Sequence, residues 1–462
     1  MTNNSKIKMG AVMISLILGI SLNVVAAEHI IRQDSRAKDW QKDCLPIGNG
    51  RLGSMIYGGV EKEHIQFNED TVWIGDENDT GSYQAFGDLF IEFDNASTGK
   101  TSAYKRELNI DESVHRISYE KGGVKFQREY FASNPADVMV YRLTADRKKS
   151  YSGSISLTNA HNGAVKAEGN QLMFSGTLSG TYQGPQKNYG IRLQYEAQVV
   201  VIHEGGTLET IDGKIRFKNC DSLLIFLDGG TDYLNKHNKG WKQEHPHQKI
   251  TDRITAASSR SFDELLREHI LDYQELFNRV TLDVGSTSET QRALAMPKRL
   301  DVYRGGKVAA KKGTHYEADA LGMKNGNVDP DLEELLFQYA RYLMISCSRP
   351  GNMPANLQGL WNQSNKPPWR CDYHSDVNIQ MNYWFVDQAN LSECFTPLSE
   401  WIYSVVPVKR KATKKEFGVR GWAHKAENGT FGGASFKWYL GDGAWIMQNI
   451  WDHYAFTQDE EY

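Results

Sequence analysis

Ile191-Arg192-Leu193-Gln194-Tyr195-Glu196-Ala197-Gln198-Val199 is the stretch that decides the fold class of the first half of the chain. Apolar and polar side chains alternate along it, which is the pattern of a strand with one face in a core. Ile215-Arg216-Phe217 repeats the alternation, and the apolar run 223–227 is followed by two glycines. Short strands separated by turn residues predict a large antiparallel β-sandwich.

Helical spacing replaces this alternation in the second half. The apolar residues between Ser261 and Gly285 recur every three or four positions, and Asp329 is a predicted N-cap with Pro330 at the first helical position. Further helices are predicted at residues 378–389, 394–411 and 443–456. The predicted organisation is β first and α second: a signal peptide over 1–27, a β-sandwich domain over 28–258, a helical linker and exposed loop over 259–328, and a helical domain over 329–462.

The first 27 residues have the features of a secretory signal peptide. Lys6 and Lys8 precede the apolar run 9–25, and Val25-Ala26-Ala27 supplies small residues at a cleavage position. The alternative is an uncleaved anchor, but the run is interrupted and shorter than the ~20 apolar residues that a span needs. We therefore expect a secreted or periplasmic protein with no membrane partner after cleavage.

Composition argues against several classes of partner. Lys and Arg number 53 against 57 Asp and Glu, a net charge of −4, so the basic surface that nucleic acids require is not expected. The 5 cysteines have no zinc-ligand spacing and are predicted to be mostly buried thiols. Gly48-x-Gly50-x-x-Gly53 has the spacing of a dinucleotide fingerprint, but no βαβ pattern surrounds it.

The segment richest in polar and aromatic groups lies in the helical half. Residues 354–362 read Pro-Ala-Asn-Leu-Gln-Gly-Leu-Trp-Asn, Trp369 follows, and residues 372–384 read Asp-Tyr-His-Ser-Asp-Val-Asn-Ile-Gln-Met-Asn-Tyr-Trp. Flat rings combined with directional hydrogen-bonding groups are typical of sugar sites. Composition alone equally supports the alternative that these residues cap helices and fill the core.

This segment resembles the catalytic-domain signature of glycoside hydrolase family 95, the inverting 1,2-α-L-fucosidases and related α-L-galactosidases. The likeness covers nearly all of the predicted mature chain in the family's order. It is carried by residues 45–53, 68–73, 86–89, 128–133, 271–280, 341–351, 421–424 and 443–454. The resemblance implies a β-sandwich, a helical linker and an (α/α)6 barrel whose pocket binds a terminal sugar, with no cofactor and no metal.

The resemblance also implies a mechanism. A pair of asparagines, polarised by a distant aspartate, activates the water, and a glutamate protonates the leaving oxygen. Asn378 matches the second asparagine, whereas Asp376 stands at the first position. Asp376 is either a general base in its own right, since a carboxylate is far more basic than an amide, or the mark of a variant with altered substrate or lost activity.

Four further residues form the predicted substrate-binding set. His374 matches a sugar-contacting histidine of the family, and Trp361 and Asn382 lie in the same segment. His424 resembles a barrel residue that faces the pocket, and its alternative is a hydrogen-bonded core histidine.

The acid glutamate of the family stands in a Ser-Pro-Glu context that this sequence lacks, since Thr396-Pro397-Leu398-Ser399-Glu400 has the letters in another order. Fewer helices are also predicted after Asp329 than a six-hairpin barrel needs. We therefore expect the N-terminal portion of the enzyme, with an incomplete barrel that is inactive alone.

The predicted function is removal of terminal α-L-fucose, α-1,2-linked, from a fucosylated oligosaccharide or polysaccharide by an inverting mechanism. The first alternative is an α-L-galactosidase of the same family, because the two sugars differ only by the C6 hydroxyl. The second is a glycan-binding remnant without turnover.

Overall fold

The structure is a computed structural model that describes residues 29–94, 99–182, 188–304, 328–439 and 441–460. The predicted signal peptide and nearly all of the predicted exposed loop at 304–327 lie outside the described residues. Across the described ranges, no helix has both the length and the apolar composition needed to cross a bilayer.

Strands fill the first half of the chain, as the alternating pattern predicts. In chain order they are β1 (Ile30–Gln33), β2 (Leu45–Gly48), β3 (Leu52–Ile56), β4 (Lys62–Glu69), β5 (Trp73–Ile74), β6 (Ser82–Tyr83), β7 (Gly87–Phe93), β8 (Ser102–Asn109), β9 (Val114–Lys121), β10 (Val124–Ser133), β11 (Val138–Ala145), β12 (Tyr151–Asn159), β13 (Val165–Glu168), β14 (Gln171–Thr177), β15 (Gln194–Glu204), β16 (Thr207–Ile211), β17 (Lys214–Cys220) and β18 (Ser222–Thr231).

Two antiparallel sheets account for most of these strands. One has nine strands in the order β1-β8-β9-β10-β11-β18-β15-β14-β13, and the other has seven in the order β16-β17-β12-β7-β4-β3-β2. The predicted strand at 191–199 begins at Gln194 as β15, where Val199 is the register partner of Leu227 in β18. Tyr195, Ala197 and Val199 of β15 lie in the core between the sheets. Glu196 and Gln198 on the opposite face are buried too, because His247 and Thr251 of the first helix after the sandwich cover them. The sequence alternates because one face packs against apolar side chains and the other against polar ones.

The sheets pack face to face over an aromatic core. Phe67 of one sheet and Phe174 of the other have ring centroids 6.3 Å apart, and Phe86 lies 5.5 Å from each. The core also encloses an ion pair, Arg128 with Glu63, whose side chains are both fully buried. All five cysteines lie in the described residues, and each is a buried free thiol.

Helices follow the sandwich. They are α1 (His247–Ser258), α2 (Phe262–Phe277), α3 (Glu289–Arg292), α4 (Met296–Tyr303), α5 (Pro330–Cys347), α6 (Asn378–Trp384), α7 (Thr396–Phe417) and α8 (Asp442–Thr457), with the hairpin β19 (Lys425–Asn428) and β20 (Ala434–Trp438) before α8. The predicted start of α5 is confirmed, because the Asp329 side chain accepts a hydrogen bond from the backbone N–H of Leu332 and Pro330 is the first helical residue.

Three elements differ from the sequence-based expectation. Helix α1 lies partly where strands were predicted, because Ile250, Ile254 and Ala257 recur at helical spacing and are buried. Helix α6 ends at Trp384 instead of continuing to Ala389, and turns follow it. The β19–β20 hairpin, which was not predicted, separates α7 from α8.

A seam of close backbone contacts joins the sandwich to the helices. A Cβ on Gly48 would collide with the carbonyl oxygen of Ser346 in α5, and a Cβ on Gly53 would lie 2.8 Å from the Trp361 Nε1. Trp361 Nε1 donates to the carbonyl oxygen of Ile47 at 3.0 Å. The glycine spacing that mimics a dinucleotide fingerprint therefore serves close packing between the two domains.

Candidate active site

A cavity of about 1140 Å³ opens along this seam. Its walls come from the sandwich edge near Pro46 and Met55, from one face of α5, from the loop 355–376 and from α6. Five of the six predicted site residues line it: Trp361, His374, Asp376, Asn378 and Asn382. The structure therefore brings the central part of the predicted site together.

His424 lies elsewhere. It is fully buried, it is not part of the cavity wall, and its Nδ1 is 3.0 Å from Asn428 Oδ1. Burial lowers the pKa of His424 to about 3, so its imidazole is neutral at physiological pH. The position fits the alternative of a hydrogen-bonded core histidine.

The central feature of the cavity wall is a line of three side chains. Asp372 is fully buried, and its Oδ1 lies 2.9 Å from His374 Nδ1. On the other side of the ring, His374 Nε2 lies 3.4 Å from Asp376 Oδ1. The side chain of Asp376 is 31% exposed, so the line runs from the core to the solvent-facing carboxylate.

Local backbone structure fixes this line. The other oxygen of Asp372, Oδ2, accepts a hydrogen bond from the backbone N–H of Asn428 in β19 at 3.1 Å. The carbonyl oxygen of His374 accepts from the N–H of Ile379 at 2.8 Å, in the first turn of α6. The three side chains are thus held between the unpredicted hairpin and a helix terminus.

The pKa values of Asp372 and His374 depend on each other. Burial raises the pKa of Asp372 to about 7, although the hydrogen bond from His374 acts in the opposite direction. Burial alone would lower the pKa of His374, but the hydrogen bond and charge of Asp372, together with Asp376, outweigh it and raise that pKa. An imidazole held by one buried carboxyl group can therefore carry a proton next to the exposed carboxylate.

Asp442 is a second carboxyl group near the line that sequence reasoning missed. It is the first residue of α8, and its Oδ2 accepts a hydrogen bond from Ser375 Oγ at 3.4 Å. Burial, and then the charge of Asp376, raise the pKa of Asp442 to about 6. The segment 443–454 is one of those that carry the family resemblance, but nothing in the sequence indicates that Asp442, just before it, lies near Asp376.

The amide and indole residues have different positions in the wall. Asn378 is exposed at the start of α6, where backbone N–H groups have no helical partner. Asn382 donates from Nδ2 to the carbonyl oxygen of Asn356 at 3.3 Å. Trp361 packs against the sandwich and is only 6% exposed, so only part of its ring faces the cavity.

This arrangement can orient a water and accept its proton. Asp376 supplies a carboxylate at the cavity surface, and His374, oriented by Asp372, supplies an adjacent hydrogen-bond donor. In the described part of the chain, no three His, Cys, Asp or Glu side chains are grouped as a metal site requires.

We expect Asp372→Asn to lower the pKa of His374, because the strongest of the groups that oppose the effect of burial is then removed. The sign follows from the raised pKa of His374 in the folded protein: the stabilisation that this histidine contributes is present below its ordinary pKa and is lost as the pH rises through the raised pKa. Proton NMR titration of the His374 ring, assigned with His374→Gln, measures the midpoint.

The matched control is Asp387→Asn, since Asp387 lies 2.9 Å from the ring of another histidine, His453. This control should leave the His374 midpoint unchanged. An unchanged midpoint in Asp372→Asn would show that Asp372 does not set the charge of the imidazole.

Two family models match the chain. Residues 261–462 match the model described as glycosyl hydrolase family 95 catalytic domain. Residues 31–81 and 77–236 match the model described as glycosyl hydrolase family 65, N-terminal domain. The matches fall on the helical and the β-rich halves, respectively.

Curated relatives match over most of the chain. Alpha-L-fucosidase 2 of Arabidopsis thaliana is 31% identical over 491 aligned positions, which cover 92% of this chain and 55% of the relative. "Probable alpha-fucosidase A" of Aspergillus niger is 30% identical, with 90% of this chain and 56% of the relative covered. The chain spans about half the length of the curated relatives it matches.

A solved structure shares the fold. The structure titled "Putative kojibiose phosphorylase from human microbiome" superposes with a TM-score of 0.53 at 11% identity, covering 90% of this chain and 54% of that one. The architecture is therefore that of large antiparallel sheets followed by the helices of an (α/α)6 barrel, and the predicted fold class is confirmed.

Proposed function

Because residues 261–462 match the model of the glycosyl hydrolase family 95 catalytic domain, we propose that this chain carries the water-activating side of an α-L-fucosidase site. The single observation that carries the proposal is the line Asp372–His374–Asp376, which ends in a carboxylate on the wall of a sugar-sized cavity. The α-fucosidase relatives support L-fucose as the sugar.

In this proposal Asp376 is the general base. The water oxygen attacks the anomeric carbon, the bond to the leaving oxygen breaks, and Asp376 takes the proton of the water. His374, held by Asp372, lies 3.4 Å from Asp376 and pairs with its carboxylate when the ring is protonated, and Asn378 orients the water or a sugar hydroxyl. Attack from the face opposite the leaving group gives inversion, which in general needs carboxyl groups ~6.5–9.5 Å apart.

The leaving oxygen needs a proton from a separate acid. The Ser-Pro-Glu context in which the family places it occurs nowhere in this sequence. We therefore propose that these 462 residues bind the sugar but turn over no α-fucoside on their own. We further propose that the substrate is a fucosylated glycan with an α-1,2 linkage and that residues 1–27 direct export of the protein.

Glycan binding without turnover is the second candidate function. It is favoured by a different observation: the predicted sugar-binding side chains line the cavity, while the family's acid context is lacking from this sequence. The two candidates differ in whether a longer polypeptide with these residues hydrolyses the glycan.

Calorimetry with two ligands tests the role of Asp376. The 1,5-imino analogue of L-fucose carries a positive charge in place of the ring oxygen, so we expect the chain to bind it about tenfold more tightly than L-fucose. Asp376→Asn should remove that preference while L-fucose still binds. The same protein, incubated with an α-1,2-fucosylated lactose, should release no free fucose.

Asp301→Asn, which removes an exposed carboxylate of α4 outside the cavity, is the control and should keep the preference. Failure of the wild-type chain to bind L-fucose would contradict the proposal. A preserved preference in Asp376→Asn would contradict the role of Asp376, and released fucose would contradict the expected lack of turnover.

A further inference from the structure

Trp369 is the most exposed aromatic side chain of the cavity wall. It is 69% exposed, yet it lines the same cavity as Asp376 and Asn378. A single exposed apolar side chain is ordinary on a protein surface. The backbone that carries this one is not ordinary.

Three consecutive residues in this turn have left-handed backbone conformations. Trp369, Arg370 and Cys371 have φ values of 45°, 60° and 49°. None of them is glycine, so each conformation is sterically unfavourable and persists only because the surrounding structure holds it. Such conformations concentrate at ligand-binding positions, because the strain fixes a side chain in a direction that a relaxed turn would not give.

Contacts from both domains hold the turn. Arg370 donates from Nε to Glu427 Oε2 of β19 at 2.8 Å and from Nη1 to the carbonyl oxygen of Gly81 at 3.1 Å. Its guanidinium also lies 4.6 Å from the ring centre of Tyr182. Cys371 donates from Sγ to Asn356 Oδ1 at 3.1 Å, which ties the end of the turn to the cavity wall.

The anchored neighbours and the exposed indole thus have opposite roles. Arg370 and Cys371 are buried and their polar atoms hold the turn, while the ring of Trp369 is in solvent on the wall of the cavity that Asp376 also lines. A ring that is fixed before binding loses little conformational entropy when a ligand stacks on it.

We propose that Trp369 is the stacking platform for the leaving sugar, the pyranose to which the terminal fucose is attached. The proposal rests on the function proposed above, in which the terminal sugar occupies the space beside Asp376 and Asn378. The next sugar extends from there toward solvent, where the indole offers a flat apolar face to the C–H face of a pyranose. Trp369 then sets the preference for a disaccharide over the monosaccharide.

The test is calorimetric titration of the whole chain with L-fucose and with the disaccharide α-L-fucosyl-(1→2)-D-galactose. The wild-type chain should bind the disaccharide about five- to tenfold more tightly than L-fucose. Trp369→Ala should remove this advantage and leave the affinity for L-fucose unchanged. Trp369→Phe should keep most of it, because a flat ring remains.

Trp451→Ala is the matched control. Trp451 is 64% exposed on α8 and does not line the cavity, so its loss should change neither affinity. Quenching of tryptophan fluorescence by the disaccharide gives a second readout, which should be weakened in Trp369→Ala and unchanged in Trp451→Ala. Unchanged melting curves exclude a folding defect.

The outcomes separate the two proposals. If L-fucose binds and Trp369→Ala keeps both the disaccharide preference and the fluorescence response, the platform is overturned and the proposed function stands. If the wild-type chain binds neither sugar, the proposed function fails and the platform fails with it.

Discussion

Replacing Arg128 with Met is expected to lower the free energy of unfolding of the β-sandwich by about 3–5 kcal/mol, the usual cost of breaking a buried ion pair. Arg128 donates from Nη1 to Glu63 Oε2 at 3.1 Å and from Nη2 to the hydroxyl oxygen of Tyr119 at 2.7 Å. Its loss removes the ion-pair partner of the fully buried carboxylate of Glu63. Denaturant unfolding, followed by tryptophan fluorescence and circular dichroism, measures the change.

Arg216→Met is the matched control. Arg216 pairs with Asp94 on the same sandwich, but the two side chains are 42% and 40% exposed, so its loss should cost no more than about 1 kcal/mol. The double variant Arg128→Met with Glu63→Met should recover much of the stability lost in the single variant, because no buried charge is left. Equal costs for Arg128→Met and Arg216→Met would contradict the buried pair as a determinant of stability.

The second large effect is expected at the start of α5. Asp329→Ala should destabilise the helical domain by about 3–5 kcal/mol, since it removes both a helix cap and the partner of a buried arginine. Arg299 Nη2 donates to Asp329 Oδ1 at 2.7 Å, and its Nε donates to Oδ2 at 2.8 Å. Thermal and denaturant unfolding measure the loss, and L-fucose affinity should fall with it because α5 lines the cavity.

The sign of the pH dependence adds a check on Asp329. Burial alone would raise its pKa, but the hydrogen bonds and charge of Arg299 lower it below the ordinary 3.8. The stabilisation is therefore present above that value and lost as the pH falls through the lowered pKa. Ser261→Ala, which removes the exposed cap of α2, is the control and should cost about 1 kcal/mol. A similar loss in both variants would contradict the role of the buried pair.

Local sequence signals predicted the elements that local interactions determine. The Asp329-Pro330 pair marks a helix start because capping involves only neighbouring residues. The alternation at 191–199 predicts a strand because the apolar residues of β15 face the core, while its polar residues face α1. The β19–β20 hairpin carries no comparable signal, since its short strands are stabilised by contacts with distant segments such as Asp372.

The same distinction applies to the candidate site. Trp361, His374, Asp376, Asn378 and Asn382 were predicted together because one contiguous segment of the chain supplies them. Asp442 approaches Asp376 only through the packing of α8, so no spacing along the chain could identify it. Asp372 lay inside the quoted segment, but its role depends on burial, which the sequence does not show.

The close packing at Gly48 and Gly53 limits which parts of the chain can be exchanged separately. Ser346 packs against the backbone at Gly48, and Trp361 packs against Gly53 and donates a hydrogen bond to the carbonyl oxygen of Ile47. The surfaces of the two halves are therefore complementary in shape. A graft that exchanged only the β-rich half would bring in side chains where the α5 backbone already lies. We therefore expect recombination between related proteins to give folded products only when the β-rich half and the helical half are exchanged together.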